Sequence, residues 1–342
     1  MRILVEILHP AHVHFFRPAI AFWRERGDRV LVLGREKECA NALLEAYDIP
    51  YRNISKIGSR KISLAAELAV RAGRMWRSGR RFQPDVLTGI MGATVAPVGR
   101  LIRKPAVVFY DTENATLTNR FVYPLAHSVC TPDCYRGRVR GRHLTYPGYH
   151  ELAYLHPDRF TPDPDVPRRL GTDPERPFFV VRLVSWQASH DVGESGLSPD
   201  FIERIIRRLE PRGRVLLSSE KPLPDRLEPY RFSCPPETIH HFLAFARLVV
   251  GESATMASEA AVLGTPAFFI SDTGRGYTDE QEKRYGLVFN FKRREENRIL
   301  DKLDELLNLN DLPAVFRPNH RRLLEEKIDT TAWLIDYLDS LV

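Results

Sequence analysis

Along the chain, short apolar runs alternate with longer stretches in which apolar residues recur at helical spacing. In the first half the strand-like runs fall at residues 3–8, 30–33, 85–90, 106–110 and 128–131. Helical patterns lie between them at 15–26, 36–47, 62–82, 93–101 and 117–125. The pattern stops between 147 and 177, where prolines stand at 157, 162, 164, 167 and 174. It resumes with strand-like runs at 178–184, 214–218, 247–251, 267–271 and 287–289, and an amphipathic helix is predicted over 323–341. Strand-helix alternation favours parallel sheets covered by helices on both faces. The expectation is an α/β protein of two Rossmann-like domains facing a cleft. The first spans 1–150 and the second 178–322, with a linker at 151–177 and a C-terminal helix, 323–342, crossing back to the first domain.

Composition narrows the classes. A chain of 342 residues has room for about two domains. Its 43% hydrophobic and 27% charged residues exclude wholesale disorder. A net charge of +6 is mild for this length, and no aromatic-plus-basic RNA-recognition signature is present, so nucleic acid is not an expected partner. The opening MRILVEILHPAHVHFF lacks the basic flank and unbroken apolar core of a secretory signal, and four cysteines are too few for a disulfide scaffold. Both features point to the cytoplasm. The helix at 62–82 carries Arg71, Arg74, Arg77, Arg80 and Arg81 beside Met75 and Trp76. We read it as a solvated face, with peripheral contact to the inner face of a membrane as the alternative.

The sharpest chemical signal is GESATMASEAAVLGTPAFFI, residues 251–270. An apolar strand ends at Gly251, which permits a tight turn, and Ser253, Ala254 and Thr255 open a helix. A helix start offers unpaired N–H groups and the positive end of a dipole, which suits a pyrophosphate. Glu259 follows Thr255 at i+4, where its carboxylate can accept hydrogen bonds from a ribose diol. An ordinary N-cap at Ser253 and a solvated Glu259 explain the same residues equally well.

Other candidates follow strand ends, where open α/β sheets gather ligands. His9, His12 and His14 lie in an expected loop at 9–18, and an imidazole can serve as general base for an acceptor hydroxyl. Without a third ligand in sequence, a metal pair at His12 and His14 is not expected. Asp111, Glu113 and Asn114 follow the run at 106–110. Arg182 can neutralise pyrophosphate charge, or pair with a structural carboxylate. The loop at 185–198 contains Trp186, His190 and Asp191, and the loop at 271–282 contains Thr273 and Arg275 among glycines that suit sugar contact.

The segment 251–270 resembles the nucleotide-sugar site of glycosyltransferase-B enzymes. These include the N-acetylglucosaminyltransferase of peptidoglycan synthesis and the non-hydrolysing UDP-N-acetylglucosamine 2-epimerases. HPAHVHFFRP, VVFYDTENATLTNR and SDTGRGYTDEQEKRYG extend the resemblance to an uncharacterised prokaryotic family of this superfamily, domain-of-unknown-function family 354. The resemblance implies that Ser253, Ala254 and Thr255 bind a diphosphate and Glu259 a ribose. It sets His12 on the transferase's histidine-bearing loop, whose glycines are here Pro10, Ala11 and Val13. It also places Glu113 where the epimerases have a glutamate. Those enzymes carry an aspartate after the preceding strand, where this chain reads LTGIMGAT, and that difference argues against epimerase chemistry. The expected activity is therefore transfer of a sugar from a nucleoside diphosphate sugar, a UDP-sugar foremost, to a saccharide or lipid-linked acceptor without a metal or other cofactor. Epimerisation, hydrolysis of the donor, and binding without catalysis are the alternatives.

Overall fold

A computed structural model describes residues 1–36, 38–56, 61–113, 116–184, 196–220 and 222–342. The backbone divides into two compact units, Met1–Arg159 with Lys327–Val342, and Phe160–Glu326. Of the segment 151–177, the part up to Arg159 thus lies in the first unit and the rest in the second.

The first unit runs β1 (Arg2–Ile7), α1 (Pro10–Glu25), β2 (Arg29–Glu36), α2 (Glu38–Ala46), β3 (Tyr51–Lys56), α3 (Lys61–Phe82), β4 (Val86–Ile90), α4 (Val95–Ile102), β5 (Ala106–Phe109), α5 (Thr116–Phe121), β6 (Ser128–Pro132), β7 (His143–Tyr146) and α6 (Leu152–Leu155). Among the described residues its sheet has seven parallel strands in the order β3-β2-β1-β4-β5-β6-β7. Helices cover both faces, so the interior strands β1, β4, β5 and β6 are buried almost throughout and are mostly apolar, with Glu6, Thr88, Ser128 and Thr131 buried among them. Leu4, Leu33, Met75, Leu87 and Val98 form part of the core on one face. The edge strands β3 and β7, with sequences YRNISK and HLTY, are only partly buried. Neither carries an apolar run, and neither is among the strands expected from the pattern.

The second unit runs α7 (Asp165–Arg169), β8 (Phe178–Leu183), α8 (Pro199–Leu209), β9 (Arg214–Ser219), α9 (Ile239–Phe245), β10 (Leu248–Gly251), α10 (Ala254–Val262), β11 (Ala267–Ile270), α11 (Gly276–Lys283), β12 (Val288–Phe291), α12 (Glu296–Leu307) and α13 (Leu312–Glu326). Its described strands form a five-stranded parallel sheet in the order β12-β11-β10-β8-β9. The chain then returns to the first unit as α14 (Thr330–Asp339).

The single helix expected over 323–341 is therefore two. Asp329 ends the continuity because its carboxylate accepts the N–H groups of Thr331 and Ala332, which starts a new helix. The Thr330 and Thr331 hydroxyls donate to the carbonyls of Tyr149 and Ala153, anchoring α14 in the first unit. The expected loop at 9–18 is also replaced. Pro10 stands in the first turn of α1, where its missing N–H costs nothing, and His9 caps that turn by accepting the Ala11 N–H at 3.2 Å. Likewise α11 takes up most of the expected loop at 271–282, leaving 271–275 as the connection.

Candidate functional site

Strand order reverses between β8 and β10 in the second sheet, and open α/β folds bind ligands at the carboxyl ends of strands at such a point. Gly251, the last residue of β10, sits opposite Arg182 of β8. A Cβ at Gly251 would lie 2.5 Å from the Arg182 carbonyl oxygen, so glycine is required here by close strand approach rather than by the expected tight turn. The next residue, Glu252, is buried and accepts the N–H groups of Val184 at 3.2 Å and Leu197 at 2.7 Å. One carboxylate thus holds both flanks of the segment 185–195. That segment, with Trp186, His190 and Asp191, lies outside the described residues.

Ser253 caps α10 by accepting the Met256 N–H at 3.2 Å, an arrangement worth about 1 kcal/mol of helix stability. Ala254 and Thr255 form the half-buried first turn. Glu259, one turn further, is buried rather than solvated, and its Oε1 lies 3.0 Å from His240 Nε2 on α9. The helix closes at Gly264, whose φ of +88° is open to glycine at little cost. Arg182 is already engaged, with Nη1 on the Ser218 hydroxyl at 2.8 Å and Nη2 on Glu220 at 2.5 Å. Thr273 and Arg275 close the connection from β11 to α11, where Arg275 Nη1 donates to the Thr273 hydroxyl at 3.2 Å and the Gly274 carbonyl at 2.9 Å.

In the first unit the order reverses between β1 and β4. His12 and His14 lie on α1 and are buried. The Leu8 N–H donates to His12 Nδ1 at 3.3 Å, so a neutral His12 carries its proton on Nε2. His14 Nδ1 is 3.3 Å from the Tyr47 hydroxyl, and its ring stacks on Tyr154 at 5.3 Å. Glu113 Oε1 accepts the Arg136 N–H at 3.4 Å. Burial and the nearby carboxylates of Glu113 and Asp111 push the Tyr135 phenol up to about 12. Asn114 lies outside the described residues.

The fold also assembles groups that sequence reasoning missed. Asp111 Oδ2 lies 3.2 Å from His150 Nδ1, an arrangement that favours the proton on that nitrogen and leaves the lone pair on Nε2. Nε2 itself is enclosed and has no hydrogen-bond partner among the described residues. Burial holds His150 below its ordinary value, with Asp111 acting in the opposite direction. Glu6 of β1 is fully buried, accepts the Thr94 hydroxyl, and lies 3.6 Å from Arg71 Nε. Desolvation pushes its carboxyl above the usual range, against the lowering effects of Arg71 and Thr94. Arg71 is thus a buried partner of a strand residue, which corrects the solvated reading of α3 at that position, whereas Arg77, Arg80 and Arg81 are exposed. Only Glu252, lying inside the 251–270 motif, had a signal in the sequence. His240, His150 and Glu6 had none.

Two parallel α/β units with these strand orders define the glycosyltransferase-B fold. Spinosyn forosaminyltransferase matches with a TM-score of 0.67 at 14% identity, covering 100% of this chain and 99% of that one. UDP-GlcNAc 2-epimerase from Methanocaldococcus jannaschii matches with a TM-score of 0.65 at 10% identity, covering 100% of both. The chain belongs to the family described as Protein of unknown function (DUF354), whose model matches residues 1–273. An uncharacterized protein of Methanocaldococcus jannaschii is 23% identical over 275 residues, 77% of this chain and 79% of that one. UDP-N-acetylglucosamine--N-acetylmuramyl-(pentapeptide) pyrophosphoryl-undecaprenol N-acetylglucosamine transferase from Halorhodospira halophila is 32% identical over 126 residues, 34% of this chain and 35% of that one. No helix among the described residues is long and apolar enough to cross a membrane.

Proposed function

We propose that this protein is a glycosyltransferase that holds a nucleoside diphosphate sugar, a UDP-sugar foremost, in its second unit and uses an acceptor hydroxyl bound by its first. The observation that carries this reading is the start of α10 at the reversal of the second sheet, with the buried Glu259 one turn beyond. The first-turn N–H groups and the helix dipole stabilise negative charge on the departing diphosphate, and Arg275 adds a cation from the next connection. Such stabilisation serves departure without an obligatory metal. Glu259 accepts from the ribose, and Ser253 keeps the helix start in place.

On the acceptor side we assign the proton-accepting role to His12, with His14 as the alternative; each ring has its Nδ1 near a hydrogen-bonding group, the Leu8 N–H and the Tyr47 hydroxyl. Glu113, following β5, is the carboxylate we assign to the same unit's part in the reaction. The acceptor is a saccharide, lipid-linked if the likeness to the Halorhodospira transferase extends to its substrate, and contact with a membrane face would then be peripheral. Transfer is favoured over epimerisation because the segment after β4, Met91-Gly92-Ala93-Thr94, offers no carboxylic acid.

Calorimetric titration with UDP, GDP, ADP and their sugars tests the donor site. Glu259→Ala is expected to weaken binding of the matching nucleotide by about 1–3 kcal/mol, as loss of hydrogen bonds to a charged acceptor would. Unchanged affinity in the folded variant removes Glu259 from the site. Donor turnover that requires added acceptor supports transfer, and turnover without one supports epimerisation or hydrolysis.

A further inference from the structure

We infer that His240 is the positioning residue that fixes the Glu259 carboxylate for a ribose diol, and that the site thereby selects ribonucleoside diphosphates over their 2′-deoxy counterparts. The inference rests on the donor-site reading above and goes further, to the sugar of the nucleotide.

The two residues are 19 positions apart and meet only because α9 packs against α10. His240 Nε2 lies 3.0 Å from Glu259 Oε1, and both side chains are buried, at 4% and 8% exposure. A carboxylate removed from water this far is costly unless hydrogen-bonded, and an imidazole N–H supplies a directed donor. The bond holds Oε1 and so restrains the carboxylate. On a helix, adjacent residues point about 100° apart. His241 accordingly faces elsewhere, accepting the Asp163 N–H on Nδ1 at 2.9 Å while its ring lies 4.9 Å from that of Phe160. Phe160 also meets the His240 ring edge-on at 6.1 Å. The segment 160–163 therefore braces α9 in the orientation that delivers His240 to Glu259.

A ribose diol offers two hydroxyl donors, and a carboxylate already held in place accepts them without an ordering cost. An analogue lacking one hydroxyl leaves a buried acceptor unpaired, which is the strongest form of rejection available to a polar pocket. A mobile glutamate could turn away and lose that discrimination. Fixing it is thus a specificity device rather than a general source of affinity.

The test is calorimetric titration of the full chain with UDP and 2′-deoxy-UDP, and with GDP and 2′-deoxy-GDP as a second pair. The wild type should prefer the ribonucleotide by about tenfold, the ratio expected for one hydrogen bond to a charged group. In His240→Phe, which keeps a ring but has no donor, the ratio should fall below about twofold while affinity for the 2′-deoxy form holds. His240→Gln, whose amide can donate to Oε1, should retain most of the discrimination. If His240→Phe does not fold, His240→Asn, too short to reach Glu259, makes the same comparison. Equal loss for both nucleotides in the folded variant would show His240 to be merely structural, and a wild type that binds UDP without discrimination overturns the inference as well. A wild type that binds no nucleoside diphosphate instead overturns the donor-site reading beneath it.

Discussion

His150 shows how a single buried group in this fold becomes a pH dependence. Burial lowers its pKa from the ordinary 6.5, so the folded protein takes up a proton there less readily than the unfolded chain. Stability from this source is complete above 6.5 and is lost as pH falls below it toward the folded value. His127 and His143 in the first unit and His320 in the second, also held low by burial, act in the same direction. The urea midpoint should therefore fall between pH 7.5 and 5.5, and His150→Gln should make the fall shallower. A variant with the wild-type dependence would assign the effect to the other three histidines. Cys130 is the counterpart at high pH, with its buried thiol pushed up to about 12 and so kept protonated. At this scale the sequence displays residue types but not burial. His150 and Cys130 look ordinary along the chain, and only enclosure by other segments alters their chemistry.

At the scale of elements, α3 separates two kinds of arginine that its sequence presents alike. Arg71 reaches Glu6 at 3.6 Å and Glu67 at 3.2 Å with almost no exposure, whereas Arg77 stands on the solvent side. Removing one member of a buried ion pair strands the other, so Arg71→Leu should destabilise the first unit by about 3 kcal/mol. Arg77→Leu should stay within about 0.5 kcal/mol. Chemical denaturation of the two variants checks the contrast, and equal effects would place Arg71 on the surface in solution. The sequence marked α3 as a helix through its apolar spacing. It could not say which arginine faces β1, because that depends on how α3 rotates over the sheet. The same limit applies to α13 and α14, where the break at Asp329 is set by capping and by anchoring to Tyr149 and Ala153.

For the whole molecule, each unit has its own parallel sheet and core, so a ligand of one should stabilise that one first. At a hundredfold excess over its dissociation constant, a nucleotide adds about 2.7 kcal/mol to the unit that binds it. Hydrogen exchange with the matching nucleoside diphosphate should show protection across Ser253–Glu259 and α9, within Phe160–Glu326. Protection confined to the first unit would contradict a donor site on α10. The C-terminal return has its own signature. Trp333 of α14 packs against Tyr146 at 4.9 Å and Phe109 at 6.3 Å, so the last residues of the chain complete the core of the first unit.

The alternation of strands and helices, the existence of two α/β units and the helix start at Ser253 were legible in the sequence alone. Interior strands of a parallel sheet are buried on both faces and are therefore mostly apolar, and a capped helix after a strand has a local signature. The edge strands β3 and β7 escaped because, unlike the edge strands β9 and β12, they carry no apolar run and are only partly buried. The pairs that give the candidate sites their chemistry, Glu259 with His240, Asp111 with His150 and Glu6 with Arg71, were decided only by the tertiary structure. Their members are brought together by packing between elements, and no local pattern of hydrophobic and polar positions encodes which side chains will meet across it.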